Sequence, residues 1–141
     1  MGIVKVVAKA LIVRGDEVLL LRRSGSDYWR PGKLDLAGGT IEPNEDILDG
    51  LTREILEETG LEIHKNHAHL AYTNTSIVDG KSMSRLYFIV QDTSKSEIVM
   101  SEEHDRAYWL SLDEAIDQND HPIQKAFLEH VKANALLALS D

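Results

Sequence analysis

Between Asn44 and Gly60 the chain carries a pattern that commits it to a helix with one buried side. Ile47, Leu48, Leu51 and Ile55 recur at the spacing of a single helical face. Asn44 is placed to cap a helix running from about Glu45 to Thr59, and Gly60 supplies the stop signal. Four charged residues, Arg53, Glu54, Glu57 and Glu58, crowd into its last turns. At about 100° per residue, Glu54 and Glu58 stand roughly 40° apart, with Glu57 roughly 60° to the other side of Glu54. All three carboxylates therefore border the apolar face.

Like charges at this spacing repel, by a few tenths of a kcal/mol per pair. They also sit at the helix end where the macrodipole disfavours anions. A solvated acidic face is the ordinary explanation for glutamates on a helix. A bound cation would offset both penalties, and an all-oxygen ligand set points to Mg²⁺ or Mn²⁺.

Around this helix the chain alternates between strand and helix patterns. Val4 to Val13 and Glu17 to Leu21 flank Arg14-Gly15-Asp16 and read as a hairpin. Ser24 to Lys33 reads as a loop, and Leu34 to Ala37 and Ile41-Glu42 as short extended pieces around Gly38-Gly39. His67 to Thr75 and Met83 to Gln91 predict two strands around Asp79-Gly80, and Arg106 to Leu110 another. Ser111 with Glu114 three residues on forms a capping box for a helix through about Asp117, and Ile123 to Leu139 predicts a C-terminal amphipathic helix. Strands before, between and after helices make a mixed α/β fold in a single domain, residues 1–141.

Composition narrows the functions. The absence of cysteine excludes disulfides and thiolate metal sites, and the net charge of −9 argues against binding long nucleic acids. Small anionic ligands remain open, because bound divalent cations invert the local charge. Apolar runs such as Ala135 to Leu139 are too short to span a bilayer, and the N-terminus lacks a signal-peptide cleavage pattern. The expected location is the cytoplasm, with no membrane partner. Oligomeric state is open, a homodimer being one option.

Taken together, GTIEPNEDILDGLTREILEETGL, Gly39 to Leu61, resembles the signature of the Nudix hydrolase family, G-x5-E-x7-R-E-U-x-E-E-x-G-U with U a bulky aliphatic. Gly39, Glu45, Arg53, Glu54, Ile55, Glu57, Glu58, Gly60 and Leu61 meet every specified position. The VLLLRRS and EEHDRAYWLSLDEA segments are also similar to the family layout. Family members often carry Trp and Pro where this chain has Leu34 and Ala37.

The resemblance implies a Nudix-type α/β/α sandwich with a mixed sheet. It also implies Mg²⁺-dependent hydrolysis of a pyrophosphate linkage in a nucleoside diphosphate joined to another group, such as a nucleoside triphosphate, a nucleotide sugar or ADP-ribose. The partner is then a small-molecule nucleotide. By the same resemblance Glu54, Glu57 and Glu58 are metal ligands, with a carbonyl of Gly38 or Gly39 assisting. Arg53 orients a carboxylate, with Glu45 as its partner.

The chemistry needs a general base, and Glu54 and Glu103 (or its neighbour Glu102) are the candidates. A solvated turn is the alternative for that loop, and His104 is a further candidate to assist. Arg22 and Arg23, ending a strand that leads towards the site, are candidates for phosphate contact. Tyr28, Trp29 and Tyr72 are candidates to stack on a base. A nucleotide-sensing module without turnover is the competing function, disfavoured because an inactive site has no need of three mutually repelling carboxylates. A calcium-binding helix is a third, but the chain has no EF-hand loop.

Overall fold

A long first strand, Val4–Arg14 (β1), organises the described part of the chain, residues 4–25 and 30–138 of this computed structural model. It turns through Gly15-Asp16 into Glu17–Arg23 (β2), forming the expected hairpin. There follow Leu34–Asp35 (β3), Ala37–Thr40 (β4), Ile47–Thr59 (α1), Ala68–Val78 (β5), Lys81–Gln91 (β6), His104–Ser111 (β7), Leu112–Gln118 (α2) and Pro122–Ala133 (α3). The sheet order is β3-β2-β1-β6-β5, with β7 paired to β2 and β4 to β1. β1 runs parallel to β6, from Val4 opposite Ser82 to Val13 opposite Gln91, while its other edge serves β4 first and β2 after.

Both faces of β1 are covered, which is why its sequence reads as an almost continuous apolar run and not as an alternation. Ala8, Ala10 and Ile12 point to the α1 layer and meet Leu51, Ile55 and Leu61. Leu11 and Val13 point the other way, to Phe127, Leu128 and Val131 of α3 and Ala115 of α2. This is the α/β/α sandwich with a mixed sheet. Ile55→Ala would open a cavity in the first layer at a cost of about 2–5 kcal/mol.

Several elements differ from their sequence readings. α1 begins at Ile47, and its cap is Asp46, whose carboxylate accepts from the N–H groups of Leu48 and Asp49. Asn44 instead adopts a left-handed conformation (φ 65°) in the turn ahead, a role Asn tolerates well. Gly60 ends the helix at φ 76°, as expected. Gly38 and Gly39 lie inside β4, paired with Lys9 and Ala8, and Ile41-Glu42 is not a strand.

The second hairpin extends to Asp79-Gly80, both at positive φ, in the arrangement that tight hairpin turns favour. His104, for which a solvated turn was the alternative to an assisting role, is the buried first residue of β7. α3 stops at Ala133, capped by Asn134, with a short 3₁₀ turn at Leu136–Ala138 beyond it. The capping box of α2 is present, with Ser111 and Glu114 bonding each other's backbone.

Candidate active site

Two glycines let α1 lie directly against β4. Gly38 has φ +127°, and a Cβ there would stand 2.1 Å from the Ala8 carbonyl oxygen. At Gly39 a Cβ would stand 2.8–2.9 Å from the carboxylate atoms of Glu54, so any side chain there would push the glutamate from its place. The Gly38 N–H in turn donates to Glu58 Oε1 at 2.6 Å. Glu58 is only 4% exposed, and its other oxygen lies 3.9 Å from His104 Nδ1.

Burial in this position pushes the Glu58 carboxyl up to about 8. Lys9 and the Gly38 N–H oppose the rise; Asp35 and Glu54 add to it. Burial also raises Glu54, against the pull of Arg53 and with Glu57 and Glu103 adding repulsion.

Arg53 gathers the acids of the helix. Its Nε and Nη2 grip both oxygens of Glu45 at 2.7 and 3.0 Å, and Nη1 reaches Glu54 at 3.1 Å and Glu57 at 3.3 Å. The Glu45 carboxyl is lowered to about 2, chiefly by the Arg53 hydrogen bonds and then by the Glu42 N–H. A fork of this kind fixes direction as well as charge, which an ammonium could not do.

A cleft of about 690 Å³ opens over these groups. Glu54, Glu58 and Glu103 line it together with Lys5, Lys9, Arg23, Arg30 and Arg85. Glu58, Glu103 and His104 each bring a ligand atom to within 4.8 Å of the others. A larger groove of about 810 Å³, walled equally by apolar and polar residues, lies between the start of β1 and the turn ahead of α1, but Glu54, Glu58 and Glu103 line the smaller cleft.

Of the residues the sequence singled out, Arg23, Gly39, Glu54, Glu58 and Glu103 line the cleft. Glu57 is not among its walls; its side chain is 56% exposed and turned to Arg53. Arg22 pairs with Asp105 at 2.7 Å and does not line the cleft. Tyr72 packs against Tyr87, Phe127 and His130, and Tyr28 and Trp29 lie outside the described residues.

Sequence reasoning missed the floor of the cleft. Asp35, 7% exposed, receives Lys9 at 3.3 Å, Arg23 at 3.0 Å and Gln124 at 2.5 Å, and Gln124 accepts from Asn119 at 2.8 Å. Burial opposes ionisation of Asp35, but Lys9, Gln124 and Arg23 outweigh it and hold the carboxyl below its ordinary range. The visible signal was a lysine inside an apolar strand and an acid between two leucines; their partnership was not visible.

The family description "NUDIX domain" matches residues 4–131. The chain belongs to the NUDIX family. It is 32% identical over 103 residues to the "NAD-capped RNA hydrolase NudC" of Pseudomonas aeruginosa, covering 73% of this chain and 34% of that protein. The NUDIX chain thus spans about a third of that relative's length. It is 31% identical over 117 residues to the asymmetrical "Bis(5'-nucleosyl)-tetraphosphatase" of Rattus norvegicus, covering 80% of this chain and 76% of the rat protein. Among solved structures, the MutT protein of Methanosarcina mazei Go1 superposes with a TM-score of 0.80 at 27% identity, covering 95% of this chain and 96% of that one. Among the described residues, no helix of the NUDIX chain is long and apolar enough to cross a membrane.

Proposed function

We propose that the chain hydrolyses a pyrophosphate linkage in a nucleoside diphosphate joined to another group, and that it needs Mg²⁺ or Mn²⁺ to do so. The observation that carries this reading is the buried Glu58 carboxyl beside Glu54. Burial and mutual repulsion penalise their ionised forms, and a divalent cation would favour them. The donor set fits such an ion: Glu54, Glu57 and Glu58 offer hard oxygens, the Gly39 backbone lies against the Glu54 carboxylate, and Glu103 brings an oxygen within 4.8 Å of Glu58. Glu57 would have to leave Arg53 to join the set.

The cation would neutralise phosphate charge and acidify a water molecule. The protein's own groups do the rest. Arg53, anchored on Glu45, fixes the direction of Glu54, while Glu54 accepts the proton of the attacking water, with Glu103 second. Arg23 lines the cleft as a phosphate contact, and Lys5, Arg30 and Arg85 add positive charge to the lining against which a substrate anion would lie.

The names of the relatives are consistent with this class of linkage, and the substrate is a small nucleotide. Screening a nucleotide library with Mg²⁺, reading released phosphate and pyrophosphate, tests the proposal; no turnover of any member would favour the sensing module.

A further inference from the structure

Lys9 is the single charged residue in the stretch Val6 to Val13. The β1–β4 register sets it opposite Gly38. Its side chain, 14% exposed, donates to three oxygens: Gly38 O at 3.1 Å, Leu36 O at 3.2 Å and Asp35 Oδ2 at 3.3 Å. An ammonium has three N–H groups, and all are used. Two backbone carbonyls and one carboxylate are also the kind of hard oxygen set that a divalent cation takes. On the other flank of the same glycine, the Gly38 N–H is bound to Glu58.

We infer that Lys9 is a built-in cation that occupies the Gly38 carbonyl, keeps a divalent ion off it, and confines metal binding to the glutamates of α1, Glu103 and the Gly39 carbonyl. This rests on the reading of those glutamates as metal ligands.

Two physical points support it. A divalent ion at Gly38 would either displace an ammonium whose three bonds lie in a largely buried site, leaving that charge without partners there, or share the carbonyl oxygen's second lone pair with it. In the shared case it would stand beside the Lys9 charge in a medium far less screening than water. Asp35 locks the arrangement from below, since Arg23 and Gln124 hold the carboxylate that Lys9 uses. Lys9 is thus a positioning residue, acting on where the metal sits and not on the substrate's reacting atoms.

The test reads metal and lysine directly, not turnover. In the intact wild-type protein the ¹⁵N signal of the Lys9 ammonium, assigned by its loss in Lys9→Arg, is followed through a Mg²⁺ titration. It should keep its shift and its protection from exchange at saturation; movement to the position of a free lysine would overturn the inference.

Mn²⁺ binding followed by electron paramagnetic resonance supplies the second arm. Lys9→Met should bind one further Mn²⁺, or bind Mn²⁺ on the order of tenfold more tightly, while Lys9→Arg follows the wild type. The double variant Lys9→Met/Asp35→Asn removes the carboxylate left short of a partner and should show the same gain, should the single variant fold poorly. Identical Mn²⁺ isotherms for wild type, Lys9→Met and the double variant would overturn the inference while leaving the glutamate reading intact. A wild type that binds no Mn²⁺ would overturn both.

Discussion

Replacing Glu58 by Gln should stabilise the metal-free protein, and only above mildly acidic pH. Gln keeps an oxygen for the Gly38 N–H but has no charge to bury. The Glu58 carboxyl is raised from an ordinary 4.5 to about 8, with burial as the first cause. A carboxyl shifted upward supports the fold while protonated. That contribution is whole below about pH 4.5, declines as pH rises through about 8, and is gone above it. Between the two values lie three to four factors of ten in proton affinity, each worth about 1.4 kcal/mol, for an upper bound of about 5 kcal/mol.

Relaxation around the ionised group should leave a few kcal/mol, or on the order of 10 °C in Tm for a domain of this size. Thermal unfolding of both proteins in EDTA from pH 5 to 9 is the assay. The advantage of Glu58→Gln should be small at pH 5, grow steadily and level off near pH 8 to 9. Saturating Mg²⁺ should raise the wild-type Tm at pH 8 and close much of the gap. A variant no more stable than wild type at pH 8.5 in EDTA would refute the claim that the buried carboxylate is a stored electrostatic burden.

The two glycines should respond differently to alanine. Gly38→Ala meets the fixed Ala8 carbonyl at a backbone angle alanine rarely adopts, so the protein should lose several kcal/mol in denaturant unfolding or fail to fold. Gly39→Ala meets only the end of the Glu54 side chain, so Tm should barely change while the Mg²⁺ concentration for half-maximal rate rises several-fold. Arg53→Lys keeps the charge but loses the fork to Glu45, and kcat should fall on the order of tenfold or more with little change in KM. If Glu103 were the general base, Glu103→Gln at saturating Mg²⁺ would lose about 10² to 10⁴ in kcat. We expect a smaller loss, partly restored by excess metal; a full loss that metal does not restore would transfer the base role from Glu54.

What could be read from sequence was what local spacing decides. The apolar face of α1, its Gly60 stop, the capping box at Ser111 and the two hairpins depend on residues a few positions apart. The start of α1 was misplaced because Asn44 and Asp46 are both capping types. The choice is made by Glu45, whose side chain turns back to the Glu42 N–H and to Arg53. The contact of Arg53 with Glu45 follows from the motif spacing, but the proximity of Arg23 and Lys9 at Asp35 does not. It depends on β1 pairing with β4 and β2 with β3. The choice left open for His104, assisting residue or solvated turn, turns on a similar contact: β7 docks on β2 and carries it to Glu58, which no local pattern in SEEHD announces.

The most direct test of the central claim is nucleotide hydrolysis by protein stripped of metal and then resupplied. A member of the nucleotide library should not be turned over in rigorously metal-free buffer, and Mg²⁺ should restore its hydrolysis in the wild type. Glu58→Gln, although folded and more stable at pH 8, should fall short by on the order of 10² or more in kcat. Full turnover without metal, or a wild-type rate from Glu58→Gln, would contradict the account.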